Sequence, residues 1–549
     1  MNVRLCKSLF CNSKSYCKNN DCNDNYNNGF KEVCERIEYK SSEYKKGERK
    51  EKGVRISGET LGLDLECFAR VLYRKKVSGE IVIRELCRFI DEERGKAIYQ
   101  EIKNSEKIED RFERYVSTYT PSNITAEISG LGCRGEGDFF IHRLIAAISC
   151  GDEKAELKLN VELDSRTQDD AGAVLIPRGR YDNKYDEDRD EKNRDNEKRD
   201  ENKGYVVAAV DGMHSRLSSF PFLAGFHAAR AALRDIMVKG ARPIAFISDI
   251  HLANNGDVCK VFDYSAGIAT VGELSNVPIV SGSTLRIGGD LVLGDRLTGC
   301  VGAIGYARRL LPRSATSVGD VLIMTEGSGG GTISTTALFY GKKGIVKETL
   351  NLDFIKSANV ILDILEQKGF EKYSKMIHSM TDVTNGGIRG DAFELSEVSG
   401  CAIVLYEDKI MKAINKKVLK MLIELGIDPL GVSIDSLLLC VDKRIVDKIS
   451  EAFEEKGVRY EIVGRVEDKY SSAGSVFVEK DGKRTVLQPK YREAPYTPIK
   501  KVASRKKPSK SEFEEIKSIL KECAACSISK KEAVKAWIMG EFIKIRSSK

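Results

Sequence analysis

Residues 205–250 read YVVAAVDGMHSRLSSFPFLAGFHAARAALRDIMVKGARPIAFISDI. The hydrophobic period changes twice along this stretch. YVVAAVD (205–211) is an apolar, strand-like run that ends on an acid followed by Gly212. FLAGFHAARAALRDIMVK (222–239) repeats its apolar residues at the three- and four-residue spacing of a helix. Gly240, with Pro243 just beyond, is a helix stop. PIAFISDI (243–250) then returns to a strand pattern. Strand, helix and strand in this order are the building unit of an α/β or α+β domain.

Upstream, AGAVLI (171–176) predicts another strand. The 177–204 segment between the two strands has almost no apolar residue, so it cannot offset its ordering entropy and is expected to be a solvated loop within one domain. Downstream, VPIVSG (277–282), GCVGAIGYA (299–307) and DVLIMTE (320–326) read as strands. Helices are expected near 332–340, 353–369 and 389–399, with strand patterns at CAIVLYE (401–407) and RYEIVGRV (459–466). No internal repeat of 20–50 residues is present. The organisation that follows is an Asn-, Lys- and Cys-rich extension (1–58) expected to be disordered, then a helical unit (59–125). Two α/β halves (126–309 and 310–468) form the body. A hairpin and helical tail (469–549) complete it.

The 89 basic and 82 acidic residues give a net charge of +7. That is mixed polarity, and the basic stretches at 496–510 and 541–549 read as solvated tails, so nucleic acid is not the expected partner. No run of about 18 apolar residues marks a membrane span, and the N-terminus lacks the apolar core of a secretory signal; a cytoplasmic location follows by default. Of the 15 cysteines, Cys67, Cys87, Cys259, Cys300, Cys401 and Cys440 read as small buried hydrophobes. Cys6, Cys11, Cys17, Cys22 and Cys34 crowd the start without the tight spacing of a zinc knuckle. Cys523 and Cys526 form one isolated CxxC.

The usual phosphate loops are absent: there is no GxxxxGK[ST], and no GxGxxG between a strand and a helix. Gly327-Ser328-Gly329-Gly330-Gly331 follows a strand and opens a helix, where backbone N–H groups can meet an anion. The five histidines show no metal-binding spacing. Acid, however, gathers at strand ends and turns: Asp169 and Asp170 before strand 171–176, Asp211 at the end of 205–211, Asp235 in an otherwise apolar and basic helix, and Asp382 in SMTDVTNGG. Singly, each fits a cap or turn. Two neighbouring carboxylates repel by about 1 kcal/mol in water and about 4 at an effective dielectric of 20, so collecting several in one cleft requires a cation. Oxygen ligands suit Mg²⁺, which also bridges nucleotide phosphates.

Five segments in order resemble the PurM-like superfamily, which includes aminoimidazole ribonucleotide synthetase, thiamine-monophosphate kinase, selenophosphate synthetase and the hydrogenase maturation protein HypE. GDFFIH (137–142) resembles the opening helix, and QDDAGAV (168–174) the DDAA strand motif. AVDGMH (209–214) resembles the second acidic strand end. RDIMVKGARP (234–243) is similar to NDxxxxGAxP, and HSMTDVTNGG (378–387) to the DxTxGG turn. The resemblance covers roughly 130–468 and implies a two-domain fold. Its N-terminal domain forms a barrel with a second subunit, so a homodimer is implied; the C-terminal domain is α/β. It further implies ATP near that interface, with Asp169, Asp170, Asp211 and Asp235 carrying Mg²⁺, and Asp170 and Asp382 in catalytic roles. Asn385, Gly386 and Gly387 would shape the backbone near the phosphates. The implied chemistry is ATP-dependent phosphorylation or activation of an oxygen on an unidentified small molecule or protein carboxamide. A non-catalytic nucleotide-binding assembly or maturation factor is the alternative, and a metal- or sulfur-handling factor using the N-terminal cysteines is a third.

The chain also departs from the family pattern. Ser281-Gly282-Ser283-Thr284 stands where many members have an acidic GGDT-like turn, with Asp290 or Asp295 as substitutes. Gly132-Cys133-Arg134 only echoes a reactive Cys–Lys stretch, since arginine cannot replace a deprotonatable lysine. The chain ends Arg-Ser-Ser-Lys, without the cysteine tail on which HypE acts.

Overall fold

A computed structural model describes residues 64–105, 122, 124, 126–130, 135–150, 161–163, 169–176, 204–253, 256–287, 295–367, 371–384, 386–468, 475–493, 495–503 and 508–538. Expectations for 1–58, 177–203, Cys133, Asp290, Asn385 and 541–549 lie outside these residues.

Three helices open the described chain: α1 (Leu65–Arg74), α2 (Gly79–Leu86) and α3 (Glu92–Ser105). They bury Leu65, Ala69, Val82, Leu86, Ile98 and Ile102 in a small core of their own. A fourth, α4 (Glu136–Cys150), begins at the expected GDFFIH segment.

The first sheet has six strands: β1 (Val161–Leu163), β2 (Gly172–Leu175), β3 (Tyr205–Gly212), β4 (Arg242–Ala253), β5 (Ile279–Ile287) and β6 (Leu297–Ala307). Their order is β1-β2-β3-β6-β4-β5. Every pairing is antiparallel except β4–β5. That parallel pair is joined by helix α6 (Cys259–Ser275), as parallel strands require a crossover. Helix α5 (Pro221–Met237) starts with proline in its first turn and stops before Gly240, whose φ is +86°. It lies backbone to backbone against α6: a Cβ on Gly225 would sit 2.0 Å from Tyr264 O, and one on Gly267 2.2 Å from Phe222 O. Ala224, Ala228, Ala232 and Leu233 of α5 belong to the core that also takes Val207, Val301 and Ala303 from the sheet.

The opposite face of this sheet is apolar and exposed. Val174, Val206 and Tyr306 form one cross-strand row, and Val210, Gly302 and Ile247 another. Val210 is 67% exposed. Ser281–Thr284, which stands where many family members have an acidic turn, lies inside β5, and the strand continues past the expected 277–282 because β4 offers it a partner as far as Ala253. Ser283 stands in register with Asp249.

The second sheet has seven strands: β7 (Val321–Thr325), β8 (Ile377–Val383), β9 (Ala402–Tyr406), β10 (Ser436–Val441), β11 (Tyr460–Glu467), β12 (Val476–Lys480) and β13 (Lys483–Val486), in the order β13-β12-β9-β11-β7-β10-β8. Asp481 and Gly482 both have positive φ (49° and 73°) at the two-residue β12–β13 turn, the twist that tight hairpins favour. Its helices include α7 (Gly331–Phe339), α8 (Asp353–Glu366), α9 (Gly387–Ser399), α10 (Lys416–Glu424) and α11 (Val446–Glu455), and a long helix, α12 (Lys510–Ile538), ends the described chain. One core runs from α5 through α8 and α11 to Leu437, Leu439 and Val441 of β10. A second core joins α9 and α10 to the sheet through Leu395, Val418, Leu405 and Leu438. Residues from both halves therefore share one interior.

The cysteine reading needs correction. Cys440 is buried and Cys300 and Cys401 are half-buried, but Cys67, Cys87 and Cys259 are exposed. Apolar neighbours in sequence do not bury a helical residue on the solvent side. Among the described residues, no helix is long and apolar enough to cross a membrane.

Candidate functional site

Helix α5 presents Arg230 and Arg234 four residues apart, hence on one face. Arg230 pairs with Asp435 and donates to Gly329 O (2.8 Å), Thr349 O (2.7 Å) and Asn351 O (2.8 Å). Arg234 pairs with Asp382 and Asp435, and its Nη2 lies 3.4 Å from Asp235 and 3.9 Å from Asp211. Just past the helix, Lys239, fully buried, donates to Asp169 Oδ1 (2.7 Å) and Met380 O (3.1 Å) and lies 3.2 Å from Asp170. Arg313, on the segment leading into the second half, donates to Asp170 Oδ1 (2.6 Å) and Thr381 Oγ1 (2.7 Å) and pairs with Glu394 (3.1 Å). Four cations from the first half and its exit thus hold acids from the starts of β2 and β10, the ends of β3 and β8, α5 itself and α9.

The expected aspartates do converge, in two groups. Asp169 and Asp170 are gathered by Lys239 and Arg313; Asp211, Asp235 and Asp382 are gathered by Arg234. Coulombic coupling joins the groups, since Asp170 raises the pKa of both Asp235 and Asp382. Asp382 lies within β8 opposite Leu437, and the turn follows it. Gly386 (φ +99°) caps α9. Gly387 (φ +62°) has no room for a side chain, since a Cβ there would meet Leu430 O at 2.5 Å. Asp295, considered as a substitute acid, is exposed and pairs with Lys260 at 2.8 Å.

Three acids of the site were not singled out from sequence: Asp391, Glu394 and Asp435. Asp435 adopts φ +62°, uncommon for a residue other than glycine, and thereby reaches both α5 arginines. Asp391 accepts from Thr384 N at 3.0 Å.

Carboxylates outnumber cations here, and the titration behaviour follows. Burial raises the pKa of Asp235 well above the usual range; Arg234 opposes this, while Asp382, Asp211 and Asp170 add to it. Asp382 is raised by burial, with Asp170 and Asp435 adding to it against Arg234 and Arg313. Asp391 is pushed well up by burial and then by Asp382. Burial also works against ionised Asp170 and Asp435, but Arg313 and Lys239 hold Asp170 low, and Arg230 and Arg234 bring Asp435 to about 2. Asp169 Oδ2 is buried without a hydrogen-bond partner. The site thus crowds more carboxyl groups than its own cations match, so that burial favours the protonated form of several, on oxygen donors suited to a hard divalent ion. Among the described residues, no three His, Cys, Asp or Glu side chains form a ready-made metal cage. The guanidinium groups of Arg234 and Arg313 stand between the acids instead.

Beside this cluster lies the glycine run. Gly329 has φ +79°, and a Cβ on Gly330 would fall 3.1 Å from Arg230 Nη2 and 3.2 Å from Asp435 Oδ2. A Cβ on Gly331 would lie 3.5 Å from His214 Cβ and 3.7 Å from His227 Cβ. The run therefore packs its backbone against the ion pairs.

Comparison with known proteins agrees with this architecture. The family described as AIR synthase related protein, N-terminal domain, matches residues 195–307, and its C-terminal domain counterpart matches 317–476. Uncharacterized protein MJ1416 of Methanocaldococcus jannaschii is 44% identical over 490 residues, 86% of this chain and 97% of that protein. Thiamine-monophosphate kinase of Pyrococcus horikoshii is 28% identical over 268 residues, 48% of this chain and 76% of the kinase. A crystal structure of the hydrogenase maturation protein HypE in complex with ATP has a TM-score of 0.43 at 18% identity, covering 52% of this chain and 85% of that one. With both family domains matched in order and a relative 44% identical over 86% of the chain, the chain belongs to the PurM-like superfamily, on its AIR-synthase-related branch.

Proposed function

We propose that this chain is a Mg²⁺-dependent ATP-binding enzyme that phosphorylates, or activates through ATP, an oxygen of a small molecule or carboxamide in the cytoplasm. The observation that carries the reading is the buried surplus of carboxylate, seen in the raised pKa values of Asp235, Asp382 and Asp391. Mg²⁺ usually binds through one or two carboxylates plus phosphate oxygens, so carboxyl groups interleaved with Arg234 and Arg313 suit an ion that arrives with its nucleotide. Asp169, Asp170, Asp211 and Asp235 are the residues that would hold it, and bound there it would neutralise phosphate charge.

The protein's own part is positioning and charge. Arg234 and Arg313 fix the carboxylates. Gly386 and Gly387 shape the backbone beside Asp382. The raised pKa of Asp382 suits it to receive a proton from an acceptor hydroxyl, and Asp170, kept ionised by Arg313 and Lys239, suits an electrostatic role. Kinship with a thiamine-monophosphate kinase supports phosphoryl transfer as the reaction class. A homodimer is part of the proposal: the exposed apolar face of the first sheet suits a second copy.

The test is a calorimetric titration with ATP in the presence of Mg²⁺, on the wild type and on Asp170→Asn. Tight binding by the wild type and its loss in the variant are expected; equal binding by both would remove the acidic cluster from the account. A second reading, a non-catalytic nucleotide-binding assembly factor, draws on Ser283 in place of the family acid. Steady ADP release on adding a cellular small-molecule extract would rule it out.

A further inference from the structure

The segment after β13 lies beyond both family matches, yet it reaches the candidate site. Tyr491 donates to Ile128 O at 2.6 Å, Glu493 pairs with Arg389 of α9 at 2.8 Å, and Thr336 of α7 donates to Tyr496 O at 3.1 Å. The Tyr496 hydroxyl lies 2.5 Å from Nε2 of His214, three residues past Asp211, and Lys500 Nζ donates to that hydroxyl at 2.7 Å. The other ring nitrogen of His214, Nδ1, is 3.2 Å from Thr335 Oγ1 on α7. One C-terminal segment thus touches the wall that carries Asp211, the helix that follows the glycine run, and the helix that follows Gly387.

We propose that Tyr496 is a positioning residue of this site, holding His214 as the Nδ1–H tautomer against Thr335 while Lys500 sets the direction of the Tyr496 hydroxyl. Lysine can only donate, so it occupies an acceptor position on the phenol oxygen. The ammonium also draws electron density from the O–H, making the phenol a better donor and a poorer second acceptor. We assign its proton to Nε2, 2.5 Å away, which leaves the imidazole proton on Nδ1. Burial, with the nearby charges of Lys500 and Arg216, brings the His214 pKa down to about 4, in keeping with an imidazole that accepts at Nε2. The other groups facing the ring are Tyr496, Thr335 and the buried, neutral His227. His214 is then a fixed, uncharged wall beside the glycine run across the neutral pH range, and the positive charge there is carried by Lys500.

The link to nucleotide rests on the proposed function; the tautomer does not. Nitrogen-15 NMR of the full chain labelled at its five histidines, assigned with His214→Gln, reads both. The wild type should give the Nδ1–H form from about pH 5 to about pH 8. Tyr496→Phe should mix the tautomers, and Lys500→Met should raise the His214 pKa. An Nε2–H wild type, or an unchanged tautomer in Tyr496→Phe, overturns the proposal. Added Mg²⁺–ATP should move the His214 signals, and Tyr496→Phe should weaken ATP binding roughly 3- to 10-fold, the worth of one hydrogen bond. If calorimetry registers ATP binding while His214 stays still, the positioning role fails and the nucleotide reading survives. If no ATP binds, the nucleotide reading fails, and the tautomer result still judges Tyr496.

Discussion

Arg234→Met probes the cluster where its balance is narrowest. The methionine keeps much of the apolar stem and removes the charge that faces Asp382, Asp435, Asp235 and Asp211. Removing one partner of a buried ion pair costs about 3–5 kcal/mol, because the remaining charge is left in a poor solvent. Arg230 still holds Asp435, so the uncompensated acids are chiefly Asp382 and Asp235, and the lower half of that range is expected. At about 2–4 °C per kcal/mol for a unit the size of either half, the melting temperature should fall by roughly 6–16 °C. Urea denaturation followed by circular dichroism measures the loss directly. Two further results must accompany it if charge is the cause. The deficit should narrow in mild acid, where the proton uptake that the raised pKa values of Asp382 and Asp235 demand on folding costs less, and millimolar Mg²⁺ should stabilise the variant more than the wild type. A loss below about 1 kcal/mol, or one indifferent to both acid and Mg²⁺, would refute the reasoning.

Other perturbations test separate links. Asp235→Asn copies the protonated acid. The folded pKa of Asp235 is raised, so the wild type is penalised only as pH rises above the unfolded value of about 3.9. The variant should match the wild type near that pH and be the more stable of the two at about pH 8, in melts without nucleotide; equal curves would remove the buried-acid cost. Gly387→Ala forces a Cβ against Leu430 O in a left-handed conformation, and should cost about 1–3 kcal/mol together with nucleotide affinity, measured by melting and calorimetry. Val210→Asp places a charge in the exposed apolar row of the first sheet. Sedimentation should show it monomeric where the wild type is dimeric, with the circular dichroism spectrum unchanged.

Local signals in the chain announced much of this fold. Helix α5 was legible because its period is sustained and both ends are marked, by Pro221 and Gly240. The strand pattern over 205–211 was equally clear, since its ends are marked in sequence by the apolar-poor stretch before it and by Asp211-Gly212. Strands β8 (IHSMTDV) and β10 (SLLLCV) were not read as strands, the first being quoted only for its acid and the turn after it. β10 is buried at every position and β8 at all but one, so their environments do not alternate, and periodicity cannot separate a buried strand from a buried helix. The aspartates were legible as acids at strand ends, but their neutralisers were not. Arg230 meets Asp435, and Arg313 meets Asp170, by packing between the halves, over separations of 205 and 143 residues. Only tertiary structure creates that encounter. Arg234 and Lys239 stood in plain view inside a family motif, yet nothing local said which acids they would face.

Cation and nucleotide are expected to enter this acidic cluster together. Equilibrium dialysis of Mg²⁺ with and without ATP, and of ATP with and without Mg²⁺, measures that coupling. Because Arg234 and Arg313 already separate the carboxylates, Mg²⁺ alone should bind weakly, ATP alone should bind weakly, and each should tighten the other by the same factor, as linkage requires. Stoichiometric Mg²⁺ binding indifferent to ATP would reveal a preformed metal centre, and ATP binding indifferent to Mg²⁺ would place the nucleotide away from the aspartates; either result would contradict the account.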